Sequence, residues 1–485
     1  MKVIVIGAGF AGISAASFLA QKGYEVTVVE KNEMAGGRAR KFEAEGFMFD
    51  MGPSWYWMPD IFDRYFEQFG KKTADYYELI RLDPSYSIFF GQNDIMNVPA
   101  QMSELEAMFE RYELGSTQNL RKFLKEAAYK YEVGVKEFVF KPSRSIMEFA
   151  DWRVLKSVFR LQMFQSMSKH VRSLFKNEQL IKLLEFPVLF LGATPENTPA
   201  MYSLMNYADL ALGTWYPKGG MHQIIKGMVE LAEELGVQFE YNQEVTNIYV
   251  ENGQAKKVIT KNAEFEADIV VAGADYHHID QKILEPEYRN YSAKYWDKRT
   301  MAPSSLLFYL GVDKKLDGLL HHNLFFDEDF KQHATEIYED PQWPSKPLFY
   351  VCCPSKTDET AAPKGKENVF VLIPLAPDLE DTEELREKYY NMVMERLEKL
   401  TGQTVRDSVI YKRSYAHRDF KKDYNAYKGN AYGLANTLRQ TAILKPSLKN
   451  KKIKNLYLTG QLTVPGPGVP PSLISGEVVA NEINT

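Results

Sequence analysis

Hydrophobic and polar positions change period repeatedly within the first thirty residues. Val3-Ile4-Val5-Ile6 is an unbroken apolar run, the pattern of a parallel strand buried on both faces. Gly7-Ala8-Gly9-Phe10-Ala11-Gly12 follows, and the apolar-rich stretch beyond it predicts a helix to about residue 21. After Gly23, the β-rich run Glu25-Val26-Thr27-Val28-Val29 predicts a second strand that delivers Glu30, 18 residues past Gly12. Strand, glycine turn, helix, second strand and acid in this register make a dinucleotide-binding unit. Gly7 permits the tight turn, Gly9 lets the backbone approach a pyrophosphate, and Gly12 lets helix and strand pack closely. The helix start, with Phe10 and Ala11 in its first turn, offers unpaired N–H groups and partial positive charge to phosphates. Glu30, followed by Lys31, can accept both hydrogen bonds of an adenosine ribose.

Composition narrows the setting. At 485 residues the chain has room for roughly two to four domains and a large core. A formal charge of −5 leaves no global footprint for nucleic acid, so no nucleic-acid partner is expected. No apolar run reaches the ~18 residues a spanning helix needs. Only Met1 and Lys2 precede the first strand, so no leader peptide is expected. The pattern reads as cytoplasmic, or attached to the surface of the cell membrane. The two cysteines, Cys352 and Cys353, are adjacent, which fits neither a disulfide framework nor a zinc knuckle. They read as ordinary thiols on a strand, and no metal site is expected. Aromatic residues make up 13% of the chain, enough to line an apolar cavity, although a large core uses them too.

Three later turns define the cofactor further. Met34-Ala35-Gly36-Gly37-Arg38-Ala39-Arg40 follows the second strand. In two-dinucleotide-fold flavoproteins such a turn brings arginine, here Arg38, to the ribose–phosphate region of FAD. Phe49-Asp50-Met51-Gly52-Pro53-Ser54 reads as a strand end entering a tight turn that can bring backbone close to a flavin. Asn455-Leu456-Tyr457-Leu458-Thr459-Gly460 repeats the strand-then-glycine logic. It leads through Pro465-Gly466-Pro467-Gly468-Val469-Pro470 into a helix from about Leu473. Glycines and prolines ahead of a helix N-terminus suit a cradle for the flavin's polar edge. With these residues the chain resembles the bacterial phytoene desaturases, FAD-dependent carotenoid oxidoreductases. The resemblance extends through Trp215-Tyr216-Pro217-Lys218-Gly219-Gly220, His321-His322 and Cys353-Pro354-Ser355-Lys356-Thr357-Asp358. It continues in Ala362-Pro363-Lys364-Gly365 and in Asn425-Ala426-Tyr427-Lys428-Gly429-Asn430-Ala431-Tyr432-Gly433. One departure stands out: Val464 occupies a position where the family commonly has histidine, which argues against proton chemistry by a histidine there.

The resemblance implies an α/β fold: a two-dinucleotide-binding-domain flavoprotein with a Rossmann-like FAD domain, an α+β substrate domain and a helical cap. The FAD domain is expected to be discontinuous, from residues 1–75, 221–280 and 410–485. Residues 76–220 and 281–409 would form the substrate domain and its membrane-proximal cap. Within the second FAD segment, Asn252-Gly253 marks a hairpin tip. Val245 lies where such flavoproteins contact adenine through a backbone amide. Strands are expected at residues 305–310 and 369–373.

The implied substrate is a long polyene hydrocarbon such as phytoene, recognised by tunnel shape and apolar area because it offers no hydrogen-bonding group. Desaturation towards lycopene would send a hydride to the flavin and a proton elsewhere, with a quinone or oxygen as terminal electron acceptor. Asp151 is the candidate acid–base residue; its other reading is the N-terminal acid of a following helix. His222 and Lys218 flank the Gly219-Gly220 turn and either face the flavin or cap and solvate that turn. His170, His277 and His278 read as structural or surface residues, and His321 and His322 carry no assigned role. Residues 152–176 hold Arg153, Lys156, Arg160, Lys169, Arg172 and Lys176 and no acid, with Trp152, Leu155, Phe159 and Met163 at helical spacing. This reads as an interfacial membrane helix, or as an ordinary cap helix with solvated charges. Two other functions fit the pattern: a carotenoid cis–trans isomerase or carotenoid-end oxidase, and a non-enzymatic prenyl-lipid chaperone, against which the intact 36–38 and 466–468 segments argue.

Overall fold

The computed structural model describes residues 1–145, 148, 162, 165–437 and 440–483. The opening apolar run forms the centre of a five-stranded parallel sheet, ordered Leu456–Leu458, Ile269–Ala272, Lys2–Ile6, Glu25–Val29, Gln238–Glu240. Val3 and Val5 are fully enclosed, as a strand flanked on both sides and covered on both faces must be. The helix Phe10–Gln21 is buried along nearly its whole length because a second helix, Val469–Glu482, lies against it. Small residues make that approach possible: a Cβ on Gly476 would stand 2.4 Å from the Ala11 carbonyl oxygen. Ser14 Oγ donates to the Leu473 carbonyl at 2.7 Å across the same seam.

The Asn252-Gly253 pair sits at positive φ (+51° and +72°), the geometry a two-residue hairpin turn requires. It joins Val245–Glu251 to Gln254–Thr260 in a three-stranded antiparallel sheet. A larger seven-stranded sheet forms the second layer, ordered Val409–Tyr415, Ser304–Val312, Glu367–Leu375, Phe349–Cys352, His322–Phe325, Tyr86–Gly91, Asp94–Val98. Its pairs are antiparallel except His322–Phe325 against Tyr86–Gly91. All nine residues of Ser304–Val312 are buried, but the period of two still divides them. Leu306, Phe308 and Leu310 share a core with Val393 and Leu397 of helix Glu383–Thr401. Ser305 and Leu307 face the other way, into a cavity. Helices Met102–Tyr112, Ser116–Val133, Met167–Leu174 and Glu178–Glu185 lie in the chain's middle region.

Two segments show pairing and capping that local pattern does not carry. Strand Val409–Tyr415 pairs antiparallel with Ser304–Val312, so the seven-stranded sheet extends past the expected boundary at residue 410. Cross-strand pairing is invisible to local pattern, and the strand's alternation looks the same in either sheet. The described part of the 152–176 stretch contributes a short helix, Met167–Leu174. Ser166 is extended (φ −73°, ψ 154°) and its side chain accepts from the Lys169 N–H, so a helix starts afresh at Met167 and ends at Leu174. Arg172 is paired with Glu178 at 2.7 Å rather than left free for headgroups. Trp152, Arg153, Leu155, Lys156, Phe159, Arg160, Met163 and the candidate base Asp151 lie outside the described residues.

Candidate functional site

A single cavity of about 1060 Å³ runs from the carboxyl edge of the parallel sheet into the space beside the seven-stranded sheet. Its volume lies past the ~300–1,000 Å³ of an ordinary small-molecule site. At one end it is lined by Gly7, Gly9, Phe10, Ala11, Glu30, Lys31 and Val245, in its middle by Gly37, Arg38, Gly52, Pro53, Ser54 and Gly460, and by Gly468, Val469 and Pro470. At the other end the walls are apolar: Trp55, Trp57, Phe186, Leu189, Met205, Phe326, Ile337 and Leu348. The structure therefore brings the sequence-predicted cofactor residues of three chain segments onto one surface.

The glycine loop has the geometry its residue types predict. Gly7 has φ +97°, and a Cβ on Gly12 would stand 2.0 Å from the Gly7 carbonyl oxygen, so those two glycines shape the turn. Gly9 differs. Its backbone is extended (φ −86°, ψ 178°), and the nearest atom to an added Cβ is Gly37 Cα at 4.0 Å. The space in front of Gly9 is open cavity, not protein. Glu30 closes the unit: Oε2 accepts from the Ala8 N–H at 2.8 Å, and Oε1 accepts from the Asn32 backbone and side-chain amides at 2.9 and 2.8 Å. Its carboxylate is thus held at the mouth of the loop while still lining the cavity.

Arg38 lies on a short turn of helix, Gly37–Ala39, reached through Gly36 and Gly37, both at positive φ. Its Nη2 donates to the Asn430 carbonyl at 3.3 Å. With the Gln461 amide turned to present its oxygen, Nη2 and Nη1 also donate there at 2.9 and 3.2 Å. Its Nε is buried with no hydrogen-bond partner among the described residues. Asp275 is the adjacent counter-charge, and burial pushes its carboxyl up to about 6 despite the Arg38 guanidinium, which works to lower it. Asp275 and Gln461 escaped the sequence reading. The available signal for Asp275 was its place just beyond Ile269–Ala272, at the carboxyl edge where ligands of such sheets bind.

Asp50 explains the Phe49-Asp50 turn. Its carboxylate accepts from the Met221 and His222 N–H groups at 2.7 and 3.0 Å, capping helix His222–Glu234. His222 Nδ1 meets the Ala39 carbonyl at 2.9 Å and Lys218 pairs with exposed Glu78, so both serve the turn. The motif Asp358 accepts from the Gly219 N–H at 2.6 Å and so holds the same turn from the other side. His321 and His322 are buried behind Ser54. His322 stacks on Trp55 with centroids 4.1 Å apart, its Nδ1 meets Tyr350 Oη at 2.5 Å, and that hydroxyl donates to Ser54 Oγ at 3.0 Å. Burial holds both imidazoles far below their usual range. Cys352 lies within 4.8 Å of the pair's ring nitrogens, and both cysteines are free and buried. His170 and His278 are held neutral by burial, and His278 lines the cavity instead of the surface.

The model of the flavin-containing amine oxidoreductase family matches residues 10–484. The chain belongs to this family. It is 41% identical over 482 residues to a carotenoid 3,4-desaturase of Haloarcula japonica, covering 99% of this chain and 97% of that one. It is 31% identical over 492 residues to a zeta-carotene-forming phytoene desaturase of Myxococcus xanthus, covering 100% and 94%. Within the family it is a carotenoid desaturase-type oxidoreductase with FAD as its cofactor. Its fold is that of an oxidoreductase from Methanosarcina mazei, with TM-score 0.64 at 18% identity over 99% of this chain and 100% of that one. The residues present fit FAD. Open space before Gly9, a helix start with unpaired N–H groups and a buried Arg38 Nε with no partner among the described residues are what a dinucleotide would complete.

Proposed function

We propose that this protein removes hydrogen from the CH–CH bonds of a long linear carotenoid precursor, converting phytoene towards lycopene. The observation that carries the reading is the continuity of the cavity: the glycine-loop surface and the apolar chamber are one space. Glu30 and Val245 would hold the adenosine, the Gly9 loop the pyrophosphate, and Arg38 the ribose–phosphate region. The turns at residues 52–54 and 466–470 would hold the flavin ring. Bound FAD supplies the two-electron oxidant. The chain's own part is to exclude water and to align a hydrocarbon that offers no polar handle, which Trp55, Trp57, Phe186 and Phe326 do by shape and apolar area. The cavity also reaches Ile443 and Leu444, which are 40% and 50% exposed. That mouth would meet the bilayer surface in which such a substrate dissolves, giving peripheral attachment.

The 41% identity to a 3,4-desaturase supports a second reading, desaturation at the end of an already conjugated carotenoid. Anaerobic incubation of the FAD-loaded protein with liposomes carrying phytoene or lycopene separates the two. Flavin bleaching with longer-conjugated products from phytoene is expected. Bleaching by lycopene alone would move the assignment to the second reading, and isomer interconversion with no new double bond would sink both.

A further inference from the structure

Lys445 is a buried lysine on the cavity wall. It is 6% exposed, lines the cavity, and donates from Nζ to Asn436 Oδ1 at 2.7 Å. Among the described residues no ion pair includes it, and no charged group offsets its burial, which alone lowers its pKa to about 7. Burying an ammonium with one neutral partner costs free energy that an apolar side chain of the same length would avoid. The neighbouring backbone makes room for it. A Cβ on Gly466, at φ +142°, would stand 2.7 Å from Nζ, so a side chain there would displace the ammonium.

A second observation concerns helix Val469–Glu482, whose N-terminus opens at the same place. Its first turn is Val469-Pro470-Pro471, so two of the N–H groups that normally give a helix start its positive field are missing. Lys445 stands beside the loop that leads into this depleted end.

We propose that Lys445 is the cation that compensates the negative charge gained by FAD when it is reduced. The proposal rests on the reading that the flavin ring lies at the loop of residues 466–470. In the cofactor half-reaction two electrons and one proton are added, so the net charge falls by one. A neighbouring ammonium favours that product over the oxidised form, and a neutral amine does not. Because burial lowers the Lys445 pKa to about 7, its contribution is present in acid and fades as pH rises. Arginine at the same position would keep its charge throughout.

The test is the two-electron midpoint potential of bound FAD, read by spectroelectrochemistry of the holoprotein without substrate between pH 6 and pH 9. Wild type, Lys445→Met and Lys445→Arg are compared, with FAD content checked by flavin absorption. At pH 6 the Met variant should lie below wild type by about 30 mV or more, a tenfold shift for a two-electron couple. At pH 9 the Arg variant should lie above wild type, while wild type approaches the Met variant. Coincident potentials for the three FAD-loaded proteins at both pH values would overturn the role of Lys445 and leave the cofactor-site reading intact. If Lys445→Met fails to fold or to retain FAD, wild type against Lys445→Arg at pH 9 decides the matter alone.

Discussion

Gly9→Val separates cofactor binding from folding more cleanly than any other substitution in the glycine loop. Gly9 is extended, a conformation open to any L-residue, and an added Cβ comes no closer than 4.0 Å to protein. The valine side chain therefore enters the cavity, and the apoprotein should change stability by no more than about 0.5 kcal/mol. The pyrophosphate would need the same space. A loss of at least 100-fold in FAD affinity, about 2.8 kcal/mol, is expected. Wild type at 100 Kd of FAD gains about 2.7 kcal/mol of stability from binding, and the variant at the same FAD concentration should gain no more than about 0.4 kcal/mol. Thermal melts with and without FAD read both quantities in one experiment. Gly12→Ala makes the contrast, because its Cβ would stand 2.0 Å from the Gly7 carbonyl oxygen. It should cost roughly 1–3 kcal/mol with or without FAD, the price of overpacking. Glu30→Ala should weaken FAD retention by less than Gly9→Val does, because it removes hydrogen-bond acceptors without filling space. A Gly9→Val protein that purifies with a full complement of FAD would refute the reasoning.

Two further outcomes follow, one from a buried histidine and one from exposed apolar residues. His333 lines the cavity, and desolvation lowers its pKa to about 3. Its folded value lies below its unfolded one, so the unfolded state takes up the proton first and stability falls as pH drops from about 6.5 towards 3. His333→Gln should therefore gain on wild type by roughly 2 kcal/mol between pH 7 and pH 5, read from urea midpoints; a constant difference across that range would mean the ring is already solvated. At the cavity mouth, Ile443→Asp with Leu444→Asp should reduce co-sedimentation with liposomes while FAD content stays unchanged. Undiminished binding of that double variant would refute the proposed membrane contact at this mouth.

Sequence legibility followed the range of the interactions involved. Lys2–Ile6, Phe10–Gln21, Glu25–Val29 and the Asn252-Gly253 hairpin were readable because local sterics and period decide them. Gly12 was readable as a close-packing glycine because only a missing side chain tolerates a carbonyl at 2.0 Å. What escaped was set by partners far away in the chain. Asp275 acquires meaning from Arg38, 237 residues earlier, and Gln461 from the same guanidinium. Val409–Tyr415 joins one sheet instead of another through a register that no local window contains. Lys445 is the sharpest case. In sequence, Leu444-Lys445-Pro446 is an unremarkable basic position in a chain with 59 lysines and arginines. Its environment is made by Asn436 and by a glycine 21 residues later that leaves its head unobstructed. Glycines at turns announce themselves because their conformation is their function. A buried charge is silent until the fold shows its surroundings, and the lack of a counter-charge to Lys445 among the described residues is what supports the proposal that it answers a ligand that becomes anionic.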